Sequence, residues 1–142
     1  MSAFWKWAPW LNRLIIFAVA ALFTMISLKF VFDPQNAAMN SGLSIQSGVG
    51  YTNTRAGFGG FPLGFAVILV FSLFSSRRLL AALSFTATVA AVILLVRLYG
   101  AFTDNTLRES AHLLVPETVL LCVTLLGVVL EAKRRTREGM VA

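Results

Sequence analysis

The sequence is poor in charge: only 13% of its 142 residues are charged, whereas 58% are hydrophobic. Soluble domains carry about a quarter charged residues and about half apolar ones. A chain of this size could not bury so much apolar surface if it folded in water. The scarcity of charge therefore excludes an ordinary soluble domain and a disordered chain, and it indicates an integral membrane protein.

Reactive and metal-binding side chains are also scarce, with one cysteine and one histidine in the whole chain. A lone cysteine cannot form an intrachain disulfide. A zinc site needs three or four converging ligands, and no such spacing is present. Neither a Ser–His–Asp set nor a phosphate-binding glycine loop is visible. The sequence therefore favours a non-enzymatic protein and predicts no metal and no cofactor.

Long apolar runs are what the sequence does have. A membrane-spanning helix needs about 20 mostly apolar residues. Four segments satisfy this length, at about 11–32, 56–74, 79–102 and 110–130. None alternates with the two-residue period of a transmembrane β-strand. We expect an all-α membrane protein, a four-transmembrane-helix bundle that forms a single domain over 1–142, with a loop at 33–54 and a basic cytoplasmic tail at 131–142.

The distribution of the twelve lysines and arginines predicts the orientation. Eight lie near the termini and in the 75–78 turn, three lie at the opposite helix ends, and Arg97 lies inside a segment. By the positive-inside rule, both termini should be cytoplasmic. The anionic partner suggested by the net charge of +6 is then membrane lipid rather than nucleic acid.

Two charges lie within the apolar segments. Arg97 is near the outer end of the third segment, and Glu117 is near the outer start of the fourth. Both should lie roughly 6–11 Å below the helix ends, on neighbouring antiparallel helices. An isolated charge at that depth is costly, so we expect them to pair. Two interpretations stay open: a structural lock between the helices, and a site for a ligand or ion.

Further polar residues are expected at the same level. Arg55 opens the second segment, and Tyr99 and Asp104 close the third; with Arg97 and Glu117 they form the predicted polar site. Additional members of this outer ring are Lys29, Asp33, Glu109 and His112. The half of the protein that carries the termini is expected to contain no comparable buried charge.

Small residues predict close helix packing. Ala56, Gly60 and Gly64 recur every four residues, a spacing that favours close approach of two helices. The partner helix is either in the same chain or in a second copy, and a bound lipid is the third alternative. Two inward faces are also expected: Leu83, Thr86, Ala90, Ile93 and Arg97 on the third segment, and Ser110, Glu117 and Thr124 on the fourth.

Several of these residues form a recognisable pattern. Arg55, Gly59, Gly60 and Gly64 open the second segment, Arg97 stands near the end of the third, and Asp104 and Glu117 follow. This arrangement resembles the small bacterial membrane proteins grouped as domain of unknown function 4345 (DUF4345). The resemblance covers most of the chain, and it implies a four-helix fold in the bacterial inner membrane without implying an activity.

Two functions remain open on these grounds. The first is a non-enzymatic binding or scaffold protein whose outer-leaflet polar site holds a lipid, a lipophilic ligand or a membrane partner. The second is a small homodimeric transporter or proton-coupled carrier in which Glu117 relays the proton. Contact between Arg97 and Glu117 would favour a structural pair, and a pocket between them would favour ligand binding.

Overall fold

The structure, a computed structural model, describes the backbone of residues 4–139 and the side chains of residues 7–139. Every regular element in this range is helical: α1 (Phe4–Phe32), α2 (Pro34–Asn40), α3 (Gly48–Thr54), a π-helical segment (Arg55–Gly60), α4 (Phe61–Leu73), α5 (Leu79–Thr103) and α6 (Leu107–Arg137). Four stretches are long and apolar enough to cross a membrane: Trp7–Phe32, Gly48–Leu73, Leu79–Thr103 and Leu107–Arg137. The expected class, an all-α membrane protein with four spanning helices, is confirmed.

Helix α6 is longer than its apolar core. It runs to Arg137, so the segment expected to be a basic tail forms the last two turns of the helix. Residues three and four apart on a helix are neighbours, and here Arg134 pairs with both Glu131 and Glu138. An apolar run identifies only the part of a helix that lies in the membrane. The predicted length is therefore too short for a helix that continues into polar sequence.

The segment expected to be a long loop contains two short helices. Asp33 caps α2 by accepting a hydrogen bond from the Asn36 amide at 3.4 Å, and Pro34 occupies the first turn. Ser47 caps α3 by accepting from the Gly50 amide at 3.1 Å. These capping residues are visible in the sequence, but the polar composition of the segment concealed the helices.

The described part of the chain divides into two compact units, one formed by residues 16–74 and the other by residues 4–15 together with 75–139. In the first unit, two aromatic pairs hold the second half of α1 against the helical stretch 48–73. Phe23 meets Phe65 edge-on at 5.0 Å, and Phe30 stacks on Phe58 at 5.3 Å between ring centroids. Such pairs add about 0.5–1.5 kcal/mol beyond the apolar area that they bury.

A π-helical segment interrupts the helix where the small-residue stripe begins. The Phe61 amide donates to the carbonyl of Ala56, five residues back. Pro62 follows, and since its ring crowds the carbonyl four residues earlier, a wider turn accommodates it. Ala56, Gly60 and Gly64 are all exposed, so they do not pack onto α1. Their close packing against another helix, a second copy or a lipid stays a prediction.

The close approach is made by Gly59 instead. A Cβ atom added to this buried glycine would lie 2.7 Å from Val31 Cγ2 and 3.4 Å from the carbonyl oxygen of Ser27. The glycine therefore lets the π-helical segment touch the backbone of α1. Arg55 adds to the same contact, because its Nε donates to the Val31 carbonyl at 3.1 Å.

In the other unit, α5 and α6 pack against each other through the faces expected from the sequence. Leu83, Thr86 and Ala90 of α5 are buried, as is Thr124 of α6. The helices are joined by a tight turn in which Asn105 takes a left-handed conformation with φ of 55°. Asparagine tolerates this conformation better than most residues, and the Thr106 amide closes the turn on the Ala101 carbonyl at 3.0 Å.

We expect Gly59→Ala to destabilise the protein by about 1–3 kcal/mol, because Val31 has no flexible end that can move away from the new methyl group. Gly64→Ala is the matched control, since nothing lies within 4 Å of a Cβ at that position. Thermal unfolding in detergent measures both. A Gly59→Ala protein that unfolds at the same temperature as Gly64→Ala would contradict the close contact.

Candidate functional site

Arg97 of α5 and Glu117 of α6 form a bidentate ion pair. Arg97 Nε lies 2.8 and 2.7 Å from the two carboxylate oxygens of Glu117, and Nη2 lies 2.6 Å from Oε1. The side chains are 33% and 18% exposed, so the pair is not sealed inside the protein. The expected pairing is confirmed, and the contact ties α5 to α6.

The connection between the helices places these two charges at one level. Arg97 stands six residues before the end of α5, and Glu117 stands ten residues after the start of α6. A short turn returns the chain antiparallel, so the two positions face each other. Pro116 precedes Glu117 and carries no amide hydrogen, which leaves the carbonyl of His112 without its helical donor. The pair therefore lies in a locally polar part of α6.

The ion pair leaves part of the arginine available. An arginine has five N–H donors in a planar fork. Within residues 4–139, hydrogen bonds to Glu117 engage Nε and Nη2, and none engages Nη1. The free edge of this guanidinium can donate to a phosphate, a carboxylate or another polar group. Glu117 neutralises the charge and fixes the orientation of the fork.

The other predicted site residues do not all join this pair. Tyr99 is exposed, and two residues beyond Arg97 it points to a different side of α5 at 100° per residue. Asp104 is exposed at the end of α5, on the same side as Arg97 but two turns away. Arg55 belongs to the other unit, where it bonds to Val31. Its place beside Arg97 stays a prediction.

The remaining outer-ring residues have local roles where the structure shows one. Asp33 caps α2 and also accepts from the Asn36 side-chain amide at 2.8 Å. His112 Nδ1 lies 2.7 Å from the carbonyl oxygen of Glu109, three residues earlier in the same helix. Lys29 is exposed near the end of α1. Within the described residues, no group of three or more histidines, cysteines and acids is placed to hold a metal ion.

A second charged cluster lies near the other end of α6. Glu131 is fully buried and accepts hydrogen bonds from Asn12 Nδ2 at 3.0 Å and from Arg134 Nε at 3.0 Å. Arg134 is 5% exposed, and its other nitrogens contact Glu131 at 2.6 Å and Glu138 at 2.5 Å. The expectation that this half of the protein has no comparable buried charge is therefore wrong.

Two signals in the sequence could have revealed this cluster. Asn12 is the only amide in the first apolar segment, and Glu131 is the first acid of a stretch dominated by lysine and arginine. Glu131, Arg134 and Glu138 are spaced by three and four residues, which places them on one face of a helix. The basic composition of the stretch predicts a solvated tail, and composition does not reveal that one face of the helix turns inward.

Two more arginines fix the turn at residues 75–78. Arg135 Nη2 donates to the carbonyls of Ser76 and Arg77 at 3.2 and 2.7 Å. Arg13 Nη2 donates to Ser76 Oγ at 3.1 Å, and the same guanidinium lies 5.5 Å from the centroid of the Trp10 ring. The turn that precedes α5 is thus held by side chains from α1 and α6.

Comparisons with protein-family models, with curated proteins and with solved structures found no match for the chain. Its class therefore follows from its own features. The chain is an all-α membrane protein with four apolar helices, and paired charges stand at two levels of its α5–α6 hairpin.

We expect Glu131→Gln to lower the free energy of unfolding by about 3 kcal/mol, because it leaves the buried Arg134 without its main counter-charge. Glu138→Gln is the matched control. Glu138 pairs with the same arginine but is 36% exposed, so its loss should cost less than about 1 kcal/mol. Chemical or thermal unfolding in detergent compares the two variants. An equal decrease in the free energy of unfolding in both variants would show that the burial of Glu131 does not add to its stabilising effect.

Proposed function

We propose that the protein is a non-enzymatic membrane protein that binds the polar head of a lipid or lipophilic ligand at the Arg97–Glu117 pair. Another membrane protein is the alternative binding partner for the same site. It is carried by one observation, an ion pair inside an apolar hairpin that is partly exposed and retains unpaired N–H donors.

The direct contact between Arg97 and Glu117 favours a structural pair, but the pair is more exposed than a structural lock requires. Glu131 and Arg134 show what a sealed pair looks like in this chain, with exposures of 0% and 5%. Arg97, at 33%, keeps part of its side chain accessible. A charge at this depth is energetically costly, and intramembrane charges commonly mark functional sites. The contrast between the two pairs supports binding at Arg97 in addition to its structural contact with Glu117.

The setting of the site is part of the proposal. The cation distribution favours cytoplasmic termini, which would place Arg97 and Glu117 toward the outer leaflet. The residue pattern at Arg55, Gly59, Gly60 and Gly64 supports membership of DUF4345 and residence in a bacterial inner membrane. A carrier that relays protons through Glu117 receives less support, since both carboxylate oxygens accept hydrogen bonds from Arg97.

We expect Arg97→Ala to abolish co-purification of the bound lipid or partner, because the variant removes every donor at the site. Glu117→Gln should weaken it, because the amide accepts only part of the arginine's hydrogen bonds and no longer neutralises its charge. Native mass spectrometry of protein extracted in mild detergent measures the bound species.

Arg108→Ala is the control, since it removes an exposed cation from the first turn of α6 and leaves the pair intact. Its bound species should match those of the wild type. Circular dichroism shows whether each variant remains helical. Unchanged bound species in a folded Arg97→Ala protein would contradict the proposed function.

A further inference from the structure

The turn at residues 75–78 is surrounded by cations whose positions are fixed. Arg77 and Arg78 are exposed in the turn itself. Arg13 and Arg135 approach from α1 and α6, and their three hydrogen bonds described above hold Ser76 and the Arg77 carbonyl. We call these four arginines the basic turn. Because Arg135 holds the backbone of the turn and Arg13 holds the Ser76 side chain, the charges are displayed in a fixed arrangement rather than on a loose loop.

The charge of this region is not balanced by the protein. Among the described residues, and leaving Arg137 aside, six cations at this end of the unit face two carboxylates, an excess of four positive charges: Arg13, Arg77, Arg78, Lys133, Arg134 and Arg135 against Glu131 and Glu138. Both carboxylates are engaged by Arg134. Within the described residues, no carboxylate pairs with Arg13, Arg77 or Arg78. The basic turn therefore attracts an anion from outside the chain.

Arg13 and the start of α5 strengthen this attraction. Arg13 Nε is buried and has no hydrogen-bond partner among the described residues. Helix α5 begins directly after the turn, and no side chain caps its first amides. Unpaired amides at a helix start favour an anion, and they reinforce the arginines without being sufficient on their own.

The position of the turn selects the kind of anion. Trp10 is 65% exposed beside Arg13, and exposed tryptophans next to cations are typical of the membrane–water interface. Arginine recognises phosphate through paired N–H donors. We propose that the basic turn binds the phosphate of an anionic phospholipid head group. This site shares no residue with the Arg97–Glu117 pair and does not depend on the function proposed for that pair.

The three tryptophans of the chain all lie within its first ten residues, so their fluorescence reports on this end alone. The full chain is reconstituted in phosphatidylcholine vesicles that contain increasing fractions of dibrominated phosphatidylglycerol. Bromine quenches nearby tryptophan, and dibrominated phosphatidylcholine gives the reference for lipid without net charge. We expect dibrominated phosphatidylglycerol to quench the tryptophan fluorescence more strongly than dibrominated phosphatidylcholine at the same mole fraction.

Arg77→Gln together with Arg78→Gln should reduce this preference at least roughly fivefold, as expected for the loss of basic residues at an anionic membrane surface. Lys29→Gln together with Arg108→Gln is the control, since it removes two exposed cations elsewhere and changes the net charge equally. The control pair should keep the preference. Arg97→Gln should also keep it, which separates this site from the one under the proposed function.

Three results would overturn the proposal. One is that dibrominated phosphatidylglycerol quenches the wild type no more than the same mole fraction of dibrominated phosphatidylcholine. Another is an equal loss in the control pair, which would indicate nonspecific charge attraction. The third is displacement by inorganic phosphate beyond the effect of sodium chloride at equal ionic strength, which would make a free anion the occupant.

Discussion

Glu131 of α6 is fully buried, and it is tolerated because Arg134 on the same helix and Asn12 on α1 donate hydrogen bonds to its carboxylate. The same constraint governs the rest of the unit: a charge placed among apolar helices must have a partner of opposite sign. The hairpin of α5 and α6 satisfies this constraint, since one compensated pair stands near each of its ends. Apolar packing by residues such as Leu83 fills the space between the two pairs.

The two pairs meet this requirement differently, and the proposed function rests on the difference. Arg134 is enclosed and shares its donors between two carboxylates. Arg97 has one carboxylate, remains partly exposed and keeps unpaired donors. A sealed pair contributes a defined helix register and offers nothing to a ligand. A pair with open donors costs more in a lipid environment, and binding a polar group offsets that cost.

The fold was largely predictable because length and apolarity determine membrane helices directly. The Arg97–Glu117 contact was predictable for a similar reason, since a short connection brings two isolated charges to one level. The position of the close glycine contact was not predictable from the sequence. The π-helical turn before Pro62 shifts the angular register of the helix, and Gly59 is the contact residue. The Glu131 cluster was missed because composition describes a stretch as basic, whereas burial depends on which face each residue occupies.

We propose that the charges of Arg97 and Glu117 serve binding and that the fold does not require them. Replacing both with methionine tests this claim, because an apolar pair of similar volume removes both charges and leaves neither unpaired. The double variant should unfold near the wild-type temperature, well above the single Arg97→Met variant, while native mass spectrometry shows no bound lipid or partner. A double variant that is as unstable as the single variant, or that retains the bound species, would contradict the account.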